Sequence, residues 1–222
     1  MEGTQNIRSN RSLRKLYERK VNGVRIVVIF HLIGLAGLSF LPTKPYFLQL
    51  VPFHLWLMAF IVLLNHDGAK SKFLWFAGRV ILAGWFIEYA GVHTGALFGQ
   101  YIYGRTLGFK IAGVPVLMGI NWLVLVYAAG VSMRKLNVRP VFLRVICSAA
   151  LLVVLDFLIE PVAARLDYWH WAFNVAPLQN YTCWFAVSAL FLFIFERFKF
   201  DKQSMVAPSI LICQFIFFAA LQ

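Results

Sequence analysis

The sequence predicts an all-α, polytopic integral membrane protein with about seven transmembrane helices in one bundle. Three observations carry that expectation. Hydrophobic residues fill 61% of the 222 positions, against roughly 45–50% in soluble domains. Charged residues fall to 14%, where soluble domains hold roughly 25%. Those charges gather between long apolar runs. A soluble fold of this length cannot hide so much apolar surface, and disorder, a fibrous repeat or a small disulfide scaffold is equally disfavoured. The formal net charge of +12 would suggest nucleic acid in a soluble chain. Here the basic residues set topology and meet anionic headgroups of the bilayer, so no nucleic-acid partner is expected.

A helix needs about 20 residues to cross ~30 Å of hydrocarbon. The first run, Val24–Leu41, follows a basic segment, 1–23, read as a cytoplasmic tail. Its length, and the six runs behind it, mark a retained span rather than a signal peptide. The expected organisation is that tail followed by a single transmembrane domain over 24–222. Tyr46–Leu64 is the second run and ends in the polar turn Asn65-His66-Asp67. Phe73–Val92 is the third and contains Glu88. Val114–Met133 is the fourth, with Asn121 about a third of the way down it and Trp122 next. Val141–Glu160 is the fifth; it carries Asp156 and stops before Pro161, whose ring disfavours helical backbone in the preceding residue. Leu178–Phe195 is the sixth, with Asn180 and Trp184 near its start. Val206–Leu221 is the seventh and shortest. The three cysteines are odd in number and lie within apolar runs, offering neither a disulfide framework nor a zinc site.

Of the 21 Lys and Arg residues, 17 fall in the tail through Arg25 and in residues 65–79, 134–144 and 196–202, while Lys44, Arg105, Lys110 and Arg165 alone occupy the opposite links. That asymmetry places the N-terminus in the cytoplasm and the C-terminus outside the cell membrane. Two links, 93–113 and 161–177, are longer than the rest and rich in Gly, Tyr, Trp and His. Both fall on the outer side.

An ionisable group inside a span is costly and so marks a functional site. Glu88 and Asp156 are each the sixteenth residue of an outward-running span, ~6 Å inside its outer end at ~1.5 Å per residue. Glu160 lies one turn above Asp156 on the same face. The structural alternative is that these acids pair with Arg144, Arg165 or a neighbouring span. A carboxyl in an apolar site resists ionising, and one that stays protonated can act as an acid. That chemistry suits protonation of an unactivated carbon–carbon double bond, with a second carboxylate orienting water. Asn121, Asn180, Tyr101, Tyr103, Trp122, Tyr168, Trp169, Trp171, Tyr181 and Trp184 converge on the same layer. Aromatic faces there can hold a polyene and stabilise a carbocation, although each ring taken singly fits a membrane-interface belt. Gly91, Gly95 and Gly99 recur every fourth residue, which suggests close helix packing before it suggests loop breaks.

The histidines never form paired boxes at i+3 or i+4, which argues against a membrane di-iron enzyme. No Gly-rich nucleotide fingerprint and no paired acidic magnesium motif appear. No metal or cofactor is expected, and an added hydroxyl would come from water.

Glu88-Tyr-Ala-Gly-Val-His-Thr94-Gly-Ala-Leu-Phe-Gly-Gln-Tyr101-Ile-Tyr103 resembles the first signature of the bacterial and archaeal carotenoid-biosynthesis hydratases of the CruF type. Gly113-Val-Pro115 with Asn121-Trp122 is similar to its continuation. The second signature resembles Asp156-x-x-x-Glu160-Pro161, Trp169-His-Trp171 and Pro177-x-x-Asn180-Tyr-x-x-Trp184, with Glu160 standing where the family pattern has Asp. The resemblance spans residues 80–190. It implies a cofactor-independent hydro-lyase that adds water to the terminal isopropylidene double bond of an acyclic (ψ) carotenoid end, giving a tertiary alcohol. It implies Glu88, Asp156 and Glu160 as catalytic residues. The implied substrate-binding residues are Thr94, Tyr101, Tyr103, Asn121, Trp122, Trp169, Trp171, Asn180 and Trp184. The implied substrates are lycopene-like or γ-carotene-like chains, or bisanhydrobacterioruberin in archaea, and other enzymes of the carotenoid pathway are candidate partners. A carotenoid end-group cyclase, which also begins by protonating an alkene, is the nearest alternative. A proton-coupled transporter is a weaker one, because the acids lie off-centre and no inverted repeat is visible.

Overall fold

A computed structural model describes the backbone from Glu2 to Gln222 and the side chains from Leu13 onward. Arg8 and Arg11 of the basic tail lie outside the described side chains. Among the described residues seven helices form: α1 (Glu2–Ser39), α2 (Lys44–Asn65), α3 (Lys70–Thr94), α4 (Leu117–Lys135), α5 (Val141–Ala163), α6 (Leu178–Arg197) and α7 (Val206–Ala220). The all-α membrane-type bundle expected from the sequence is borne out. Six of the helices are long and apolar enough to cross a membrane, and α7, with 15 residues, is the shorter apolar one.

The centre of the bundle is α4. It packs against α2, α3, α5, α6 and α7, whereas α1 packs against α2 and α7. α4 is the most enclosed of the spanning helices, with 83% of its membrane window inside the protein. Small residues let the backbones approach. A Cβ on Gly119 would strike the Ile81 carbonyl of α3, and one on Gly130 would come within 2.6 Å of the Phe195 ring of α6. Gly84 of α3 similarly faces the Trp122 ring, 2.9 Å from such a Cβ.

Polar clamps close the end of the bundle that carries most of the basic residues. Glu196 of α6 accepts from Arg134 of α4 at 3.0 Å and from Arg144 of α5 at 2.8 Å. His66, capping α2, meets the Tyr127 hydroxyl of α4 at 2.6 Å. Burial first, then the nearby Lys70 ammonium, pushes the His66 imidazole down to about 4. Cys147, Cys183 and Cys213 are free thiols on three different helices.

The other end carries the two long links, and here the sequence reading needs amending. Both contain short strands. β1 (Tyr101–Tyr103) pairs antiparallel with β4 (Trp169–Trp171), placing Tyr101 opposite Trp171 and Tyr103 opposite Trp169. β2 (Lys110–Ile111) and β3 (Val114–Pro115) form a small hairpin whose turn residues, Ala112 and Gly113, both have positive φ; that pattern suits a tight two-residue hairpin. Pro161 does not end α5, which runs on to Ala163 with the proline inside its last turn. The glycine repeat is not a packing stripe. Gly95 caps α3 in the left-handed conformation, donating to the Gly91 carbonyl, and Gly99 has φ +106 in the following loop. Gly91 makes room for Phe98 rather than for another helix.

Candidate active site

The acids expected to carry function sit close to this loop end. Glu88 lies six residues before the end of α3 and Asp156 seven before the end of α5. Both helices overrun the predicted spans, so the acids lie ~9–11 Å from the helix ends at ~1.5 Å per residue. All three acids are held by hydrogen bonds rather than by cations. Arg144 is engaged with Glu196, and Arg165 donates to the carbonyls of Pro161 and Leu221.

The two-stranded ladder supplies the donors. Alternate residues of a strand face the same way, so Tyr101 and Tyr103 point inward while Ile102 is exposed. Their hydroxyls donate to the same Glu88 oxygen, Oε2, at 2.7 and 2.6 Å. Trp122 Nε1, from α4, donates to Oε1 at 2.9 Å. Across the ladder, Trp171 and Trp169 donate their indole N–H groups to Glu160 Oε2 at 2.7 and 3.2 Å. One strand therefore serves one carboxyl with two phenols, and its partner serves the other with two indoles. Burial first, then the Glu88 carboxyl beside them, raises both phenols above the usual tyrosine range, so they remain donors.

Asn180, in the first turn of α6, joins the two acids of α5. Its Nδ2 donates to Asp156 Oδ2 at 2.8 Å and to Glu160 Oε1 at 3.2 Å. Glu88 and Glu160 thus accept three donors each, whereas Asp156 accepts one and leaves Oδ1 buried without a partner. Such a group is costly unless it carries a proton or meets a ligand or water.

Two cavities meet here. Glu88, Glu160, Asn180, Trp171 and Trp184 line a small cavity of about 20 Å³, room for about one water. Beside it lies an apolar cavity of about 540 Å³, lined from α1, α2, α4, α5 and α7 and reaching the exposed rings of Phe30 and Phe53 at the membrane-facing surface. Met118 and Trp169 belong to the walls of both cavities. The arrangement sets an apolar chamber beside a cluster of carboxyls that lines a water-sized gap.

Of the sequence-predicted residues, Glu88, Asp156, Glu160, Tyr101, Tyr103, Trp122, Trp169, Trp171, Asn180 and Trp184 come together. Trp184 joins by packing on Trp122, ring centroids 4.4 Å apart. Asn121 lies apart from them, in the wall of the apolar cavity. Thr94 does not touch the acids: it is exposed, donates to the Ala90 carbonyl at 2.6 Å, and lines an outer depression with His93, Gln100 and His170, whose wall shares Tyr101 and Trp171 with the small cavity. At the rim of that depression His170 donates to Asp167 at 2.7 Å, and this bond, with the Arg105 backbone N–H, holds the Asp167 carboxyl below its ordinary range. Sequence reasoning missed Met118 and Phe98, which line the small cavity. The need of Gly91 to accommodate the Phe98 ring leaves only an indirect trace in the sequence, and Met118 leaves none.

A family model described as "Carotenoid biosynthesis protein" matches residues 47–222. The curated bisanhydrobacterioruberin hydratase of Haloarcula japonica is 27% identical over 126 residues, covering 54% of this chain and 43% of that protein. The match thus spans less than half of the relative's own length. No solved structure matches the chain.

Proposed function

The chain belongs to the carotenoid biosynthesis protein family, and from that premise we propose that it is a membrane hydratase, adding water to the terminal isopropylidene double bond of an acyclic carotenoid end. The observation that carries this reading is the Asp156–Asn180–Glu160 group beside a small cavity that shares Met118 and Trp169 with the wall of an apolar cavity of about 540 Å³. The relative's name as a hydratase supports water addition as the outcome.

The polyene enters the apolar cavity from the membrane and brings its end group to the Trp169 wall. Asp156 and Glu160 stand one turn apart and share a single amide donor. Two negative charges so placed in an apolar layer repel strongly, so the pair holds one proton between them. Glu160, the member facing the small cavity, transfers that proton to the alkene CH carbon. The π electrons form the new C–H bond and leave a tertiary cation on the neighbouring carbon. The faces of Trp169 and Trp171 shield it by cation–π attraction. Glu88 uses three of about four acceptor positions on ring donors, leaving one for a water molecule. That water attacks the cation, and the proton it loses returns to the carboxyls. One water is added and no electrons are exchanged, so these residues suffice for the reaction. In the cell membrane the basic end of the bundle faces the cytoplasm, which puts the site in the outer leaflet.

Expression in a lycopene-producing host tests the reaction. Pigments heavier by one water are expected, with the label retained when the water is oxygen-18. A product of unchanged mass with a new ring would identify a cyclase and overturn the proposal.

A further inference from the structure

The mechanism uses only the loop end of the apolar cavity, yet polar groups also line its depths. His31 of α1 and Gln214 of α7 are both more than nine-tenths buried, and both face this cavity. His31 Nδ1 lies 2.8 Å from the Val27 carbonyl of its own helix, so Nδ1 carries the hydrogen and Nε2 is left as an acceptor. That Nε2 has no partner, and neither does Gln214 Oε1. The His31 ring is fixed edge-on between His54, at 4.6 Å, and Phe217, at 6.2 Å. No acid lines the cavity to balance a charged imidazole.

We infer that this pair is a second binding subsite, built to take the hydroxyl of a linear isoprenoid whose unsaturated end lies at the carboxyls. The inference rests on the hydratase reading and narrows it to a substrate class. A hydrocarbon chain would leave both polar atoms buried and unsatisfied. A ketone could accept from the Gln214 amide but could give nothing to His31. An alcohol serves both: its O–H donates to His31 Nε2, and its oxygen accepts from Gln214 when the carboxamide is turned over.

Spacing along the bundle sets where the hydroxyl belongs. Gln222 Nε2 donates to the Leu158 carbonyl at 2.9 Å, bringing the ends of α7 and α5 level. Gln214 lies eight residues deeper on α7, ~12 Å below that level. Asp156 and Glu160 lie two residues below and above it, ~3 Å each way. The subsite is therefore roughly 9–15 Å from the acids along the axis.

Farnesol is a suitable probe, because its extended chain separates a hydroxyl from a terminal isopropylidene by a comparable reach. Farnesyl methyl ether keeps the chain but removes the donor. Binding of both to the detergent-solubilised full chain, in an Asp156→Asn background that blocks turnover, is read by displacement of a fluorescent polyene. Farnesol should bind roughly tenfold tighter or better than the ether. That ratio should fall toward one in Gln214→Leu and in His31→Phe. Equal affinities in the protein with both residues intact, or a ratio that survives both substitutions, would overturn the inference. Failure of the hydratase reading shows separately, as the absence of hydrated product from both lycopene and a hydroxylated acyclic carotenoid made in the same host.

Discussion

Asn180 holds two acids with one amide group, and the consequences of removing it differ from those of removing either acid. Asn180→Leu leaves Asp156 without any donor and Glu160 with two, so turnover should fall by roughly 10²-fold, the scale of a lost acid–base arrangement. Asp156→Asn should abolish product while the protein persists in the membrane at its normal level; full activity in that variant would remove Asp156 from the mechanism. Tyr103→Phe takes one of three donors from Glu88 and should cost about tenfold in kcat, checked by pigment yield against membrane protein level. The acids and Asn180 were legible in the sequence because charge and amide groups are conspicuous in apolar runs. Their bonding partners were legible as residue types but not as pairs, since nothing in the chain order says that two tyrosines serve Glu88 and two tryptophans Glu160. Asn121 belongs to the same family motif yet lies in the other cavity, because its position on the α4 face decides where it points.

At the scale of elements, the ladder of β1 and β4 is what aims four rings at two carboxyls. The alternations Tyr-Ile-Tyr and Trp-His-Trp are period-two signals, but at three residues each they are too short to separate from a loop by pattern alone. Gly104, immediately after β1, approaches the Asp167 backbone so closely that a Cβ would clash with its carbonyl, and its N–H donates to the Tyr168 carbonyl at 2.9 Å. Gly104→Ala should therefore push the strands apart, lowering hydration more than thermal stability. Gly104→Ala with undiminished turnover would show that the ladder tolerates that displacement. The joint of α2 and α4 gives a pH signature. His66 is pushed down to about 4 in the folded protein, below its unfolded value near 6.5. Stability from this joint is fully present above about pH 6.5 and declines as pH falls toward 4, because the unfolded chain takes up the proton first. Melting in detergent should show that decline, and a His66→Phe variant should flatten it.

Across the whole molecule, composition and apolar runs were enough to count the helices, because the bilayer imposes length and hydrophobicity on each one. They could not show which helix stands in the middle. α4 has a mean hydropathy of 1.3 against 2.4 for α5, so the most enclosed helix is among the less apolar ones. Its enclosure depends on Gly119, Gly130 and the facing rings, contacts that no periodicity reports. The clamp at the basic end unites three helices through one acid, and Glu196→Ala would leave Arg134 and Arg144 partly buried without it. A loss of roughly 3 kcal/mol is expected, read as a lowered melting temperature with the pigment product unchanged in kind.

One wall of the apolar chamber is the short helix α7, which contributes Gln214, Phe217 and Phe218 and leans on α1 as well as on α4 and α5. During synthesis, then, the greasy chamber stays open along one side until α7 packs in beside α1. Assembly and the ability to hold a pigment become a single event, and clipping the chain before Val206 would leave a membrane-embedded bundle whose acids have nothing to act upon.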